Sequence, residues 1–409
     1  MNAIQLFKLL SRTQRHTFLA CFLGWSLDAF DFFLLTFVVS AVGHDFNRSL
    51  VEVTKAIAIT LMMRPVGAFI FGLLGDRFGR RIPLMIDIIF YSVMELATAF
   101  APNYTVFYLL RALYGIGMGG EWGLGASLAM EALPTETRGL FSGILQQGYF
   151  FGYLLAAVVY GIVFPFFGWR GLFIVGALPA LLVIYIRARV PESPAWSRPE
   201  STTNFWSNIV VILKQHWLLF LYLVLLMTAF NAMSHGTQDM YQTFLGEQRG
   251  LGVGQKSAIG IIYAVGAICG GTLLGHYSQR FGRRRSIIFA AICGIILIPV
   301  WVFSPGLSIL VVGGFAMQFM VQGAWGIVPV HLNELSPKEL RGTFPGFAYQ
   351  LGNLLAANTA VVEARLAEHF RGSMGHPDYA KALAMFALVI FLALIFLTAI
   401  GPEERAKEF

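Results

Sequence analysis

Twelve apolar stretches divide this chain, at 17–42, 51–74, 83–101, 105–131, 140–164, 170–189, 217–245, 256–277, 286–304, 306–333, 342–362 and 379–400. A helix needs about 20 residues to cross the hydrocarbon core of a bilayer. Within lipid it also satisfies its own backbone polar groups, which irregular chain cannot do. The expected fold class is therefore an all-α membrane protein with twelve transmembrane helices. Composition agrees: 57% of the residues are hydrophobic and only 12% are charged, about half the charged share of a soluble domain.

The basic residues predict the orientation. The N-terminal segment (Lys8, Arg12, Arg15) and the loops with Arg77, Arg80, Arg81 and Arg138 lie on one side. Arg280, Arg283, Arg284, Arg285 and Arg341 share that side, and the opposite loops carry far fewer. The positive-inside rule places both termini in the cytoplasm. The net charge of +7 comes mostly from these loops and needs no nucleic acid to explain it. The first apolar stretch is a full span without a small-residue cleavage site, so no cleavable signal peptide is expected. Cys21, Cys269 and Cys293 all fall inside spans, which offers neither a disulfide framework nor metal-ligand spacing. No nucleophile–base pair or cofactor loop points to an enzyme, and neither metal nor cofactor is expected.

An internal repeat runs through the chain at an offset of 203 residues. Gly120, Trp122, Gly123, Glu131, Pro134 and Arg138 recur as Gly323, Trp325, Gly326, Glu334, Pro337 and Arg341. On the same register GLLGDRFGRR at Gly72–Arg81 aligns with GHYSQRFGRR at Gly275–Arg284. A six-helix unit repeated in one orientation resembles the major facilitator fold, whose parallel halves enclose a central path. The first of these strings resembles that family's loop signature between its second and third helices. Pro191-Glu-Ser-Pro-Ala-Trp196 resembles the string after its sixth helix. The expected division is a six-helix bundle at 1–189, a linker at 190–214 and a second bundle at 215–409. Asp76, Arg77, Arg80, Arg138 and Arg341 are expected to pair at helix ends and govern gating. Gln279 replaces Asp76 in the second copy, so a charged lock should be one-sided.

Ionisable groups inside the bilayer cost at least about 2.5–3.5 kcal/mol each and therefore point inward. In the first half these include Asp28, Asp31, Arg64, Arg111 and Glu121. Arg64 falls near the midplane, where its planar fork suits a carboxylate. It either anchors an anionic substrate, with Asp28 or Asp31 as resting counter-ion, or staples two helices through a permanent ion pair. Arg111, before a Gly-rich stretch, reads as structural. Glu121 is a proton site or a buried hydrogen-bonded acid.

The seventh stretch carries the most specific pattern. Asn231, His235, Asp239 and Thr243 recur every four residues and so share one helical stripe. His and Asp can exchange a proton, and Asn and His can donate to a carboxylate. The string NAMSHGTQDMYQT also resembles the seventh-helix motif of the Jen-type lactate/pyruvate:proton symporters, within the sialate:proton symporter family. Tyr349-Gln350-Leu-Gly-Asn353 resembles their eleventh-helix segment. The resemblance implies that Arg64, Asn231, His235, Gln350 and Asn353 bind substrate. The proton, as coupling ion, would fall to His235 and Asp239 or to Asp28 and Asp31, with Glu121 a further candidate. It implies proton-coupled uptake of a small monocarboxylate, or of sialic acid or another larger organic anion, by a functional monomer in a bacterial cytoplasmic membrane.

Overall fold

The computed structural model describes residues 3–196, 210–370 and 376–404. Most of the linker expected at 190–214 lies outside them. The described chain forms twelve membrane-crossing segments. The first four are α1 (Arg12–Asp45), α2 (Leu50–Phe78), α3 (Arg81–Ala99) and α4 (Tyr104–Ala132). Segment α5 begins as Arg138–Gln146 and continues into Gly148–Val175. Gly168 breaks that helix at φ +61°, and the remainder joins Ala180–Arg189 as α6. In the second half α7 is Trp217–Gln238, α8 is Val253–Phe281 and α9 is Arg283–Val302. Segment α10 comprises Leu307–Trp325 and Val328–Leu335, α11 comprises Phe344–Ala356 and Thr359–His369, and α12 is Tyr379–Ile400.

Local chemistry sets where these helices start and stop. Ser11 and Ser49 open α1 and α2 with capping boxes closed by Gln14 and Glu52, satisfying orphan amides at the first turn. Gly79 and Gly282, repeat equivalents, end α2 and α8 at φ +90° and +97°, a conformation side chains disfavour. The outer faces of the helices expose many large apolar side chains, Phe166, Phe167, Ile184 and Ile296 being among the most exposed of these.

Glycines let the backbones inside each half touch. A Cβ on Gly67 of α2 would lie 1.7 Å from the Ile116 carbonyl oxygen of α4. Its equivalent Gly270 of α8 would meet the Phe319 carbonyl of α10 at 1.9 Å. With little hydrophobic drive between helices in lipid, such close approach provides the association energy.

The halves are joined by a hydrogen-bonded seam at the end that bears the termini. Asp76 of α2 accepts from the Gly342 amide (2.7 Å) and from the Thr343 amide (3.1 Å) and hydroxyl (2.6 Å), just before α11. Ser127 donates to the Arg341 carbonyl at 2.6 Å, and Ser142 to the Gly326 carbonyl at 2.8 Å. Gln279 of α8 donates to the Thr135 carbonyl at 2.9 Å. The charged lock is thus one-sided as expected from Gln279, yet the second copy still crosses between halves through a neutral amide.

Behind the seam both signature loops repeat one ion pair. Arg80 meets Glu131 at 3.0 Å, and Arg283 meets Glu334 at 3.0 Å. Arg80 also pairs with Asp76 at 3.0 Å, and Arg77 lies over the Phe78 ring. Arg138 donates to the Met130 and Leu133 carbonyls and ties the start of α5 to the end of α4.

Candidate substrate site

A cavity of about 150 Å³ lies between the halves, beyond the seam. From the first half come Arg64 of α2, Trp25 and Phe32 of α1, and Gln146, Tyr149 and Phe150 of α5. The second half adds Asn231, Ser234, His235 and Gln238 of α7, Gln322 and Trp325 of α10, and Tyr349 and Asn353 of α11. The repeat shapes this lining. Phe32 and His235, Gln146 and Tyr349, and Phe150 and Asn353 are equivalent positions, each pair setting an aromatic ring against a polar group.

Arg64 is 3% exposed, and its Nε and Nη2 have no hydrogen-bond partner. Its guanidinium carbon stands 5.8 Å from the centre of the Tyr349 ring. Tyr349 in turn is packed by Trp122 (4.7 Å between ring centres) and Trp325 (5.7 Å). A guanidinium near one aromatic ring, with the Nε and Nη2 donors unspent, suits a carboxylate oxygen pair.

On α7, His235 Nδ1 lies 3.1 Å from Asp239 and its Nε2 lies 3.4 Å from Asn353 Oδ1. Asn231 donates to the Met227 carbonyl at 2.8 Å, which leaves its side-chain oxygen and one N–H available. The regular helix stops at Gln238, and Thr243 falls in the separate turn Tyr241–Thr243. The stripe expected through Thr243 is therefore interrupted past Asp239. A network not read from the sequence stands behind it. Gln238 donates to Ser234 (3.1 Å) and Gln318 (3.0 Å), Gln318 to Thr237 (3.1 Å), and Gln322 to Ser234 (3.3 Å). Gln318 and Gln322 lie in an apolar stretch of α10, where an amide without a partner is costly. That cost is the signal that could have marked them.

Several expected participants lie elsewhere. Asp28 and Asp31 form no ion pair with Arg64; both are fully buried inside the first half, their oxygens without hydrogen-bond partners. The rotation of α1 keeps them out of direct contact, although the Arg64 charge still acts on Asp28 through space. That helix presents Trp25 and Phe32 to the cavity, and Asp28 and Asp31 sit roughly 60° and 120° around it. Glu121 faces α1, where a Cβ on Gly24 would meet its carboxylate, and does not line the cavity. Gln350, turned about 100° from Tyr349 on its helix, is buried outside the lining with both amide atoms unpartnered. Arg111 pairs with Glu95, both side chains fully buried, and its guanidinium lies 3.9 Å from the centre of the Tyr114 ring. It staples α3 to α4.

Two repeated helical bundles around a buried polar cavity, sealed at one end by a seam between the halves, define a membrane transporter. The chain belongs to the Major Facilitator Superfamily, whose match extends over residues 21–360. It is 29% identical to the carboxylic acid transporter protein homolog of Saccharomyces cerevisiae, over 95% of this chain and 68% of that protein. It is 28% identical to the cis,cis-muconate transport protein of Acinetobacter baylyi, over 94% of each. The sialic acid transporter NanX of Escherichia coli is 25% identical, over 98% of this chain and 97% of that one. Among solved structures, the proton:xylose symporter XylE bound to 6-bromo-6-deoxy-D-glucose superposes with a TM-score of 0.74 at 18% identity. That match covers 96% of this chain and 97% of that one. It is a likeness of fold.

Proposed function

We propose that this chain is a proton-coupled symporter of small monocarboxylates, with L-lactate and pyruvate as its substrates. The observation that carries the reading is Arg64, whose unspent donors share one cavity with Asn231, His235 and Asn353. Arg64 holds the carboxylate, and the α7 and α11 amides take the 2-hydroxy or keto oxygen. At about 150 Å³ the cavity is smaller than the roughly 300–1,000 Å³ typical of drug-sized ligands, which supports a small acid. The carboxylate and muconate transporters among its relatives support an organic anion. Entry of an anion into a negative-inside cell works against about 2.3 kcal/mol per charge per 100 mV, and one accompanying proton removes that charge. His235 with Asp239 is the proton seat nearest the cavity; Asp28 and Asp31 compete for the role from within the first half. The protein works as a monomer in a bacterial cytoplasmic membrane, with both termini and the seam on the cytoplasmic side.

A larger organic anion such as sialic acid is the second reading, supported by the near full-length likeness to NanX. Uptake of labelled lactate into proteoliposomes under an imposed pH gradient, with pyruvate and sialic acid as competitors, separates the two. Competition by pyruvate but not by sialic acid is expected. Displacement of lactate by sialic acid alone would reverse the assignment.

A further inference from the structure

The second half contains a carboxylate that the cavity does not use. Glu363, on the outer part of α11 (Thr359–His369), is 1% exposed and neither of its oxygens has a hydrogen-bond partner. It packs directly behind the proton-handling stretch of α7. A Cβ on Gly236 would stand 3.3 Å from Glu363 Oε1, and Gly236 is the residue next to His235. Asp239, the residue that caps α7, is the charged group whose field reaches Glu363. From α8 the nearest titratable group is Tyr263, whose hydroxyl is committed to the Thr237 carbonyl. From α12 the neighbour is Phe386. No cation faces Glu363 from these elements among the described residues.

An ionised carboxylate in such a place costs several kcal/mol without a partner, so in this conformation Glu363 is a neutral acid. Asp239 and His235, by contrast, have side chains 39% and 40% exposed and can exchange protons with the open cleft. Two carboxylates thus lie near Gly236, one accessible and one sealed. We propose that Glu363 is a proton-carrying residue of the transport cycle, storing behind α7 the proton that His235–Asp239 collects. In this conformation Glu363 already holds the proton. Its release breaks the Glu363 O–H bond and forms one on the Asp239 carboxylate, moving the negative charge from Asp239 to Glu363. Loading is the same step in reverse, with no other reactant needed. The absent side chain at Gly236 makes room first for the Phe386 ring of α12 and then for Glu363, and a rearrangement of α7 against α11 would drive the release. The inference rests on the proton-symport reading and adds a second seat to it.

The experiment compares wild type, Glu363→Gln and Glu363→Asp in proteoliposomes, with labelled lactate as probe and thermal melting as a check on folding. Two uptake modes are read: counterflow at equal pH, and accumulation driven by a pH gradient. Glu363→Gln, which imitates the neutral acid, should keep counterflow and lose gradient-driven accumulation. It should also lose the proton uptake that a pH dye reports on lactate addition, and Glu363→Asp should recover part of both. Accumulation by Glu363→Gln equal to wild type would overturn the inference while leaving symport intact. A folded Glu363→Asp with neither mode recovered would also overturn it, marking the residue as packing alone. If wild type itself shows counterflow without gradient-driven accumulation, the symport reading falls, and this assignment with it.

Discussion

Replacing Asp76 by Asn should open the end of the transporter that carries the termini. Asp76 accepts three hydrogen bonds from Gly342 and Thr343 across the seam, at 2.6–3.1 Å, and its side chain is fully buried. Asparagine keeps one acceptor oxygen and turns the other into a donor facing donors, so one or two of these bonds are lost. A hydrogen bond to a charged group contributes about 1.5–3 kcal/mol. These bonds exist only while the seam is closed, so the loss acts on the equilibrium between conformations. A net change of about 2 kcal/mol corresponds to a shift of roughly 30-fold toward the state open at that end. Arg80 keeps Glu131 at 3.0 Å and the Gly75 carbonyl at 2.7 Å, so the variant leaves no orphaned buried cation and should fold. Spin-label distances between the terminus-bearing ends of the two halves would report the shift. Gln279→Ala is the internal comparison: it removes a single neutral bond across the seam, worth about 1 kcal/mol, and should move the distribution less. Identical distance distributions for wild type and Asp76→Asn would refute the reasoning.

Three further outcomes are expected. Arg64→Lys keeps the charge but loses the planar fork; lactate affinity measured by calorimetry should fall at least about tenfold with the melting temperature unchanged, and unchanged affinity would remove Arg64 as anchor. Arg111→Leu leaves Glu95 as an unpaired buried carboxylate and should cost about 3–5 kcal/mol of stability, seen as a lowered melting temperature, while Glu95→Gln combined with it should restore part of the loss. Asp239→Asn should still exchange labelled lactate but fail to accumulate it under a pH gradient; accumulation surviving there and failing in Asp28→Asn would move the proton seat to α1.

The span count and the two-fold repeat were legible in the sequence because both are one-dimensional properties. A bilayer sets a length of apolar residues, and a duplication sets a register. The same holds for the polar run that begins on α7 and reaches Asp239. Periodicity also shows which residues share a face of one helix. It carries no information on how that helix is rotated against its neighbours. That angle is set by packing, as where Gly67 meets Ile116 and Gly270 meets Phe319. Only the tertiary structure could therefore place Arg64 and Asn353 in the cavity, turn Asp28, Asp31, Glu121 and Gln350 away from it, and bring Gln238, Gln318 and Gln322 together behind Ser234. The pairing of Arg111 with Glu95, 16 residues apart on different helices, and the burial of Glu363 behind Gly236 have the same origin: contacts between helices depend on rotation and depth, which no single helix encodes.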